Sequence, residues 1–586
     1  MRFAFALCAA LAVQACATRA PVAITNVRIF DGERVLPQRG VLLRGDRIDQ
    51  LLDGAAPAGV TTIDGQGGTL LPGLIDSHVH VQERAQLERC LTFGVTTALD
   101  MFSQPALVQA MRAEERSSRP ADRADLRSAG TLVTAPGGHG TEYGFDIPTL
   151  ARAGDADAFV RARLGEGSDY VKIIYGDTGG KVPGLSLAEV AAVIRAAHAN
   201  GKLAVVHVNT DQDALEALQA GADGLAHTYG RVTSHARVAE EAKARGAFVI
   251  PTLAVQRGAS GLPTGEVLLG DSRFAPFIDV TGAAQLQMHF PGAPKPQIWD
   301  VASGSIRELK AAGVDVLAGT DSANPGTTHG ASLHQELELL VQAGLTPVEA
   351  LRAATSAPAR RFHLEGRGRI APGMLADLVL VGGDPTADIL ETRAIRTVWK
   401  GGVALDREER RAAAVRSRQV LPGGLVSDFE QPKVEARFGA GWEVVTDEVV
   451  RGSSKASMAL VQGGAAGTRG ALELRGEVAS RWMGTPFAGA MFSPGPESQE
   501  PVNLGAGKSV RFWARGDGRS YDLLVFTARR GPKPGVKTFT ASGDWAEHVV
   551  PLDELASGDA TDVTGVWIGS RQPGSFQLQV DELRIQ

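Results

Sequence analysis

Two hydrophobic periods alternate along residues 72–363. Short runs rich in Val, Ile and Leu are followed by longer Ala- and Leu-rich segments in which apolar residues recur at helical spacing. This alternation is typical of repeated strand–helix units around a parallel sheet. The pattern predicts eight strands, at residues 74–79, 95–101, 128–134, 170–175, 203–208, 224–227, 247–252 and 314–319.

Eight strand–helix units over about 290 residues match the size of a (β/α)8 barrel, or TIM barrel. A doubly wound open sheet is the alternative, although no glycine-rich phosphate-binding motif opens the region. Residues 258–299 are rich in Gly, Pro and Phe and are longer than an ordinary connection. They are predicted to form either a lid over a site or a solvated insertion.

The segments outside the predicted barrel have short strand-like patterns instead. Residues 22–71 and 364–405 contain alternating runs between turns, and we expect these two arms to pair into one composite β-sandwich. Residues 406–424 are charged and Ala-rich before a Leu-Pro-Gly-Gly turn, which indicates a linker. In residues 425–586, Gly turns separate short aromatic and β-branched strands, which predicts a jelly-roll-like antiparallel sandwich. The fold class is thus α/β with two additional all-β units.

Residues 1–16 have the pattern of an export signal. Arg2 supplies a positive charge, and the apolar run 3–13 is shorter than the roughly 20 residues that span a bilayer. Cys16 and the three residues before it resemble a bacterial lipobox, although Gln14 is unusual there, so a lipid anchor at Cys16 and ordinary cleavage nearby are both open. We expect an exported bacterial protein, periplasmic or attached to the outer membrane as a lipoprotein. Cys90 is then the one cysteine of the mature body, and we expect a buried thiol without a disulfide.

Charge and composition exclude some classes of partner. The 60 Lys and Arg residues are scattered among 66 Asp and Glu residues, for a net charge of −6. A chain without a basic surface cannot hold a phosphate backbone, so we expect no nucleic acid partner. With 44% hydrophobic and 22% charged residues, the chain is neither disordered nor a multi-span membrane protein.

Six side chains that can bind metal fall within or directly after the predicted strands, and five of them lie at the carboxyl ends. His78 and His80 stand two positions apart at the end of the first strand, so both imidazoles point to one side and can bind one metal. A barrel brings all of these strand ends to one mouth, where catalytic groups lie. Each residue alone has an ordinary structural explanation, but the set predicts a metal site. Its other members are Lys172 in the fourth strand, His207 in the fifth, His227 at the end of the sixth and Asp321 after the eighth.

Several motifs resemble those of a known superfamily. The run Leu-Pro-Gly-Leu-Ile-Asp-Ser-His-Val-His at 71–80 closely resembles the opening motif of the amidohydrolase superfamily, and Ala-Asp-Leu-Val at 376–379 resembles its closing β-arm. Residues 332–337, 343–347 and 353–355 look like the last barrel helices of its imidazolonepropionase-like and prolidase-like branch. The likeness covers about residues 22–405.

The resemblance implies a site with two divalent metal ions. In it, His78, His80 and Asp321 bind the first metal, His207 and His227 bind the second, and Lys172 bridges the two after carbamylation by CO₂. Zinc is the default for these ligands, and Mn, Co and Fe are also compatible. Imidazolonepropionases and related deaminases use one metal and lack this lysine, so Lys172 favours hydrolysis of an amide, peptide, cyclic amide or ester.

The resemblance also implies a mechanism and a class of substrate. A hydroxide that bridges the metals attacks a carbonyl, and Asp321 moves its proton to the departing nitrogen. We expect a small-molecule amide or peptide substrate, either dipeptide-like or an N-acyl amino acid. A cyclic amidase or lactonase with the same metals is the alternative within enzymes. Candidates for substrate contact are His139, Tyr229, Arg231 and His329.

The last domain resembles the galactose-binding-like domain of the intermediate-associated protein 30 family, through residues 427–430 and 580–585. Such folds often bind carbohydrate, although most Trp residues in a sandwich belong to the core. A rival from another class is therefore a surface carbohydrate-binding protein with an inactive barrel. The aromatic candidates for stacking on sugars are Trp442, Trp482, Trp513 and Trp567.

Overall fold

The structure is a computed structural model, and it describes residues 19–117, 120–141, 147–176, 182–228, 236–450, 452–465, 467–479, 486–505, 507–530, 533–556 and 560–586. The predicted export signal with Cys16, and the candidates Tyr229, Arg231 and Trp482, lie outside the described residues. Among the helices that are described, none has the length and apolarity needed to cross a lipid bilayer.

The N-terminal arm contains seven short strands. They are β1 (Val22–Thr25), β2 (Arg28–Phe30), β3 (Val35–Leu36), β4 (Gly40–Arg44), β5 (Arg47–Leu52), β6 (Thr61–Asp64) and β7 (Thr69–Pro72).

Eight parallel strands and their helices follow. The strands are β8 (Leu74–Val79), β9 (Val95–Asp100), β10 (Asp125–Ser128), β11 (Val171–Ile174), β12 (Ala204–His207), β13 (Gly224–Ala226), β14 (Phe248–Ile250) and β15 (Asp315–Val316). The helices are α1 (Arg84–Thr92), α2 (Pro105–Ser117), α3 (Ala156–Gly165), α4 (Leu187–Ala199), α5 (Asp211–Gln219), α6 (Ala236–Arg245), α7 (Leu253–Ala259), α8 (Glu266–Leu269), α9 (Val280–Gln287), α10 (Gln297–Ala312), α11 (Ala331–Gln342), α12 (Pro347–Ala353) and α13 (Ser356–Arg361).

The eight strands close into a ring. Strands β8 to β10 form one parallel ladder and β11 to β15 another. Between β10 and β11, the Asp169 amide donates to the Ser128 carbonyl at 2.8 Å. Between β15 and β8, the Ser77 amide donates to the Ala318 carbonyl at 2.8 Å. The ring has the strand number and parallel order of a TIM barrel. The carboxyl ends of all eight strands therefore meet at one mouth.

The predicted position of the third barrel strand is wrong. The strand β10 covers Asp125–Ser128 and shares only Ser128 with the predicted range 128–134, in which Val133 forms an isolated bridge to Ile173. The sequence of β10 begins with Asp125, which looks like a surface residue but is buried and accepts a hydrogen bond from Lys400 at 2.9 Å. Because the partner of Asp125 comes from a distant part of the chain, the local sequence does not show that this charged residue belongs to a buried strand.

The two arms form paired sheets beside the barrel. The C-terminal arm supplies β16 (Leu378–Val381), β17 (Ile395–Lys400) and β18 (Val403–Ala404). Strand β16 pairs antiparallel with β7, and together they belong to a six-stranded sheet in the order β18-β17-β16-β7-β2-β3. A four-stranded sheet, β5-β4-β1-β6, packs on it around the buried Trp399.

The segment between β14 and α10 is a packed helical insertion. Leu268 of α8, Leu286 of α9 and Phe274 between these helices lie in a small core that also includes Phe93 and Ala331 of the barrel helices' layer. The predicted alternative of a solvated insertion is wrong for this packed part, because these apolar side chains are buried beside Phe93 and Ala331, although residues 291–297 are exposed.

Much of the predicted linker is a docked helix, α14 (Arg407–Ser417). The Arg407 guanidinium donates to the Thr92 carbonyl and lies 4.1 Å from the centroid of the Phe277 ring. Arg410 pairs with Glu88 at 3.0 Å. These contacts fix the start of the last domain against the barrel.

The C-terminal domain is an antiparallel sandwich of two sheets. One has the order β21-β22-β29-β24-β27, with β19 beside β29, and the other has the order β20-β23-β28-β25-β26. Its elements are β19 (Gly424–Ser427), β20 (Gly441–Thr446), β21 (Lys455–Gln462), β22 (Gly470–Val478), β23 (Ala488–Ser493), β24 (Ser509–Gly516), β25 (Ser520–Thr527), β26 (Gly535–Thr540), β27 (Ala546–Pro551), α15 (Leu552–Ala556), β28 (Val563–Ser570) and β29 (Gly574–Ile585).

Candidate metal centre

Asp321 lies at the middle of a cluster of imidazoles at the barrel mouth. One oxygen of its carboxylate, Oδ1, is 2.8 Å from His80 Nε2 and 3.3 Å from His78 Nε2. The other oxygen, Oδ2, is 3.8 Å from His227 Nδ1. His78, His227 and Asp321 each offer a ligand atom, and these atoms lie within 4.8 Å of one another. They form a buried triad that can hold a metal ion.

His207 and His139 extend the cluster. The ring centroids of His207 and His227 are 4.7 Å apart, and those of His139 and His207 are 5.8 Å apart. The His207 ring also contacts Asn209, with 3.2 Å between Nε2 and Oδ1. The structure thus brings the half-buried His139 of the third loop close to the four histidines of the strand ends.

Two members of the cluster have unusual backbone conformations. His227 and Asp321 have φ angles of 72° and 56°, in the left-handed region that residues other than glycine seldom adopt. Both are held by the barrel, since the His227 amide donates to the Ile250 carbonyl at 2.9 Å and the Asp321 amide to the His78 carbonyl at 2.7 Å. Strain of this kind concentrates at functional sites.

Lys172 projects from β11 into the same interior. The residue is only 2% exposed, and its Nζ atom has no hydrogen-bond partner among the described residues. Burial lowers the pKa of the Lys172 amine to about 7, while Asp321 and Asp100 act in the opposite direction. An amine in this position is an uncommon feature, because buried lysines are normally paired.

The histidines of the centre are held in the neutral form. Burial lowers the pKa values of His78, His207 and His227 well below the usual range, and the Lys172 charge lowers each of them further. A neutral imidazole keeps a lone pair for a metal ion. The buried Nδ1 atoms of His78 and His80 have no hydrogen-bond partner among the described residues. Neutral imidazoles, one carboxylate and unsatisfied buried nitrogens together fit a divalent cation.

Several supporting residues were not found from the sequence. Thr252 contacts His227, with 2.8 Å between Oγ1 and Nδ1, and so fixes the ring. Asp76 accepts hydrogen bonds from the His78 amide at 3.2 Å and from the Thr320 hydroxyl at 2.7 Å, so it ties the first strand to the last. Outer partners of this kind orient metal ligands. The motif at 71–80 contains Asp76, but nothing in the sequence pairs it with Thr320.

Glu336 supports the site from α11. Its carboxylate accepts hydrogen bonds from the Leu253 and Ala254 amides at 3.0 and 2.7 Å, and it thereby caps the start of α7 next to Thr252. Burial raises the pKa of Glu336 to about 8. The motif at 332–337 includes this residue, although its sequence alone indicates only a helix.

The prediction that His329 contacts substrate needs correction. The side chain is fully buried, and its Nε2 atom donates to the His80 carbonyl at 3.1 Å. His329 therefore braces the backbone beside a predicted ligand. The other candidates, Tyr229 and Arg231, lie outside the described residues, while His139 lies within reach of the cluster.

A family model described as "Amidohydrolase family" matches residues 69–405. The chain belongs to this family. A second model, "Complex I intermediate-associated protein 30", matches residues 427–564. Both resemblances expected from the sequence are thus confirmed. The protein is therefore a hydrolase that acts on carbon–nitrogen bonds, and the family to which it belongs is metal-dependent.

Curated relatives agree with the family assignment. The chain is 26% identical over 389 residues to an imidazolonepropionase of Cereibacter sphaeroides, with 62% of this chain and 94% of the relative covered. It is 28% identical over 406 residues to an imidazolonepropionase of Anaeromyxobacter dehalogenans, with 60% and 86% covered. It is 33% identical over 132 residues to an adenine deaminase of Sinorhizobium fredii, with 22% of each chain covered.

Solved structures show the same barrel fold. A Xaa-Pro dipeptidase with bound methionine has a TM-score of 0.54 and 22% identity, with 66% of this chain and 100% of that chain covered. An ochratoxinase of A. niger has a TM-score of 0.51 and 18% identity, with 66% and 95% covered. At these identities, the likeness supports the mixed α/β barrel.

Proposed function

We propose that this protein hydrolyses a C–N amide bond of a dipeptide-like or N-acyl amino acid substrate, with two divalent metal ions at the barrel mouth. The observation that carries the proposal is Lys172, a buried lysine without a hydrogen-bond partner among the described residues, surrounded by the imidazoles of the strand ends. A single-metal deaminase has no use for a lysine there. The Xaa-Pro dipeptidase among the structural neighbours supports the choice of an amide substrate.

The ligands fall into two groups around Asp321. His78, His80 and Asp321 would hold the first ion, because the Nε2 atoms of both histidines lie within 3.3 Å of Asp321 Oδ1. His207 and His227 would hold the second. Lys172 would bridge the groups: its neutral amine can add CO₂ and lose a proton to give a carbamate, whose two oxygens suit cations where an ammonium would repel them. Zinc is the metal that we propose for this donor set.

Divalent cations in such a site lower the pKa of a water from about 15.7 towards 7 and polarise a carbonyl oxygen. Asp321 supplies the acid–base function: its carboxylate accepts a proton from the attacking water and returns it to the departing nitrogen. Thr252, Asp76 and His329 keep the imidazoles and the backbone in place during this transfer. We assign substrate contact to His139, near His207, and to Tyr229.

The test is a substrate screen with the metal-loaded protein. Dipeptides and N-acyl amino acids are assayed by the release of free amine, and hydantoins and lactones by the carboxylic acid that forms on ring opening. Turnover of the first two classes is the expected result. Preferential opening of hydantoins or lactones would favour the cyclic amidase or lactonase, and turnover of none of the four classes would refute the proposal and favour a protein with an inactive barrel.

We further propose that the chain is exported, from the pattern of residues 1–16, and that Cys16 carries a lipid anchor. Mass analysis of the protein from the membrane fraction tests the anchor, since acylation adds a defined mass at Cys16. For the C-terminal sandwich, we propose carbohydrate as the ligand.

A further inference from the structure

Long polar side chains form a row across the outer face of one sheet of the C-terminal sandwich. Glu473 on β22 lies directly opposite Gln579 on β29, which in turn lies opposite Arg515 on β24. The alternate residues of these strands, such as Leu578 and Val580, are buried in the core. Side chains alternate between the faces of a strand, so the row points away from the core.

The row is held together by its own hydrogen bonds. The Glu473 carboxylate accepts from the Gln577 amide at 2.6 Å and from the Gln579 amide at 2.9 Å. Arg515 Nε donates to the Gln579 side-chain oxygen at 2.6 Å, and Arg475 pairs with Glu473 at 2.7 Å. The orientation of each amide is therefore fixed before any ligand arrives. Such ordering lowers the entropy that binding must overcome.

Two indole rings flank the row. The Arg515 guanidinium lies 4.7 Å from the centroid of the Trp545 ring, and Trp545 Nε1 donates to the Gly463 carbonyl at 3.3 Å. Trp513 lies on β24, two positions before Arg515. Burial alternates along this strand, so Trp513 and Arg515 are on the same outward side. Both indoles are partly exposed.

The other described tryptophans of this domain do not offer such a surface. Trp567 is 1% exposed and donates to the Val445 carbonyl at 3.1 Å, so the prediction that it stacks on a sugar is wrong. Trp442 packs against the sandwich core, and its Nε1 donates to the Ser427 hydroxyl at 2.9 Å. Stacking surface is thus concentrated beside the row.

We propose that this outer face, formed by Glu473, Gln577, Gln579, Arg515 and Trp545, binds a neutral oligosaccharide. An indole offers a flat apolar surface to the C–H face of a sugar ring, while the carboxamide and guanidinium groups that Glu473 helps to order supply the donors and acceptors that hydroxyls require. The row carries charges of both signs, from Glu473 and from Arg475 and Arg515, so it presents no field of a single sign to a polyanion. The inference rests on carbohydrate as the proposed ligand of the sandwich and does not depend on the reaction of the barrel.

The test is isothermal titration calorimetry of the full-length protein with cellohexaose, maltohexaose, xylohexaose and mannohexaose. Saturable binding of at least one hexasaccharide is expected. Trp545→Ala and Gln579→Ala should each weaken that binding at least tenfold, while Lys537→Ala, on an exposed position of the opposite sheet, should leave it unchanged. Amide hydrolysis should be unaffected in all three variants.

Two results would overturn the inference: binding of none of the four hexasaccharides, or binding by both Trp545→Ala and Gln579→Ala that equals the binding of the unchanged protein. Thermal unfolding of each variant identifies a folding defect, and the second variant keeps the test valid if the first one fails to fold. Lost sugar binding with intact hydrolysis separates this inference from the proposed reaction, and lost hydrolysis with intact sugar binding does the reverse.

Discussion

Asp321 is the residue on which the imidazoles converge, and its two oxygens face different histidines. Oδ1 lies 2.8 Å from His80 and Oδ2 lies 3.8 Å from His227. A group that is placed between both halves of the site can take a proton at one step and return it at the next. The amide of an asparagine would keep the shape but could not accept the proton.

We therefore expect Asp321→Asn to lower kcat by about 10² to 10⁴-fold while the protein stays folded. Steady-state kinetics on the substrate found by the screen measures the loss, and metal analysis of the same sample shows whether the ions are still bound. A variant with unchanged kcat would remove Asp321 from the acid–base role.

Lys172 permits a second test at this scale. Lys172→Met keeps the length of the side chain and removes the amine, so we expect a lower metal content per chain and loss of turnover. Elemental analysis after dialysis measures the metal. The matched control is Lys202→Met, a half-buried lysine in the turn before β12 at the opposite end of the barrel, which should bind metal as the unchanged protein does. Equal metal content in the two variants would contradict a bridging lysine.

Most of the candidate ligands could be predicted from the sequence because they lie at or shortly after the end of a strand, and strand ends have a local signature. His78, His207 and Asp321 are examples of this. Their supports could not be predicted in the same way. Thr252, His329 and Glu336 act through contacts with distant parts of the chain, and a hydrogen bond between positions that are 83 apart, as from Leu253 to Glu336, has no trace in a local pattern.

At the scale of elements, β10 depends on a buried charge cluster. Asp125 accepts from Lys400 of β17 at 2.9 Å and pairs with Arg367, and Lys400 also binds Asp377 at 2.7 Å. The cluster ties the barrel to the arm sandwich. It also explains why the sequence misplaces this strand, since a charged residue signals a surface until its partners are known.

We expect Asp125→Asn to lower the free energy of unfolding by about 3 to 5 kcal/mol at pH 7, because two cations would remain buried with one carboxylate. Urea denaturation measures the loss. Asp122→Asn is the control, since the Asp122 side chain is 55% exposed and its pair with Arg84 should contribute about 1 kcal/mol or less. Similar losses in the two variants would contradict the role of the cluster.

The same pair of proteins should show a defined pH dependence. Burial by itself would raise the pKa of Asp125, but Lys400 and Arg367 outweigh it and hold the value well below 3.8. A carboxyl whose pKa is lower in the folded state than in the unfolded state stabilises the folded protein at pH values above the unfolded-state pKa. This stabilisation is lost as the pH falls towards the folded-state pKa. The difference between the unchanged protein and Asp125→Asn should therefore be largest above about pH 4 and should narrow in more acidic solution.

For the whole molecule, the metal centre and the sandwich are separate sources of stability. Chelation of the metal should abolish turnover and lower the melting temperature of the barrel, and added Zn²⁺ should restore both. A ligand at 100 times its Kd stabilises the folded state by about 2.7 kcal/mol. Calorimetry measures the shift, and the transition of the C-terminal sandwich, which holds no residue of the centre, is the internal control. A barrel transition that is insensitive to chelation would contradict a bound metal.

The overall architecture was predictable where periodicity is strong and unpredictable where it depends on packing. The alternation of strand and helix patterns predicted the barrel, and the short strand patterns between turns predicted the two sandwiches. The insertion was ambiguous because its burial depends on Phe93 and Ala331, which are far away in the chain. The docking of α14 depends likewise on Arg407 and Phe277.

The pairing of β7 with β16 has a consequence for synthesis. Leu71 of β7 is paired across the antiparallel ladder with Val379 of β16, which comes about 310 residues later in the chain. A ribosome that adds about 5 to 20 residues per second needs roughly 15 to 60 s to make that partner. Throughout that interval the apolar edge of β7 is open to pairing with other nascent chains. Slower synthesis lengthens this exposure, so we expect mispairing at this edge to increase with the time that separates the two arms.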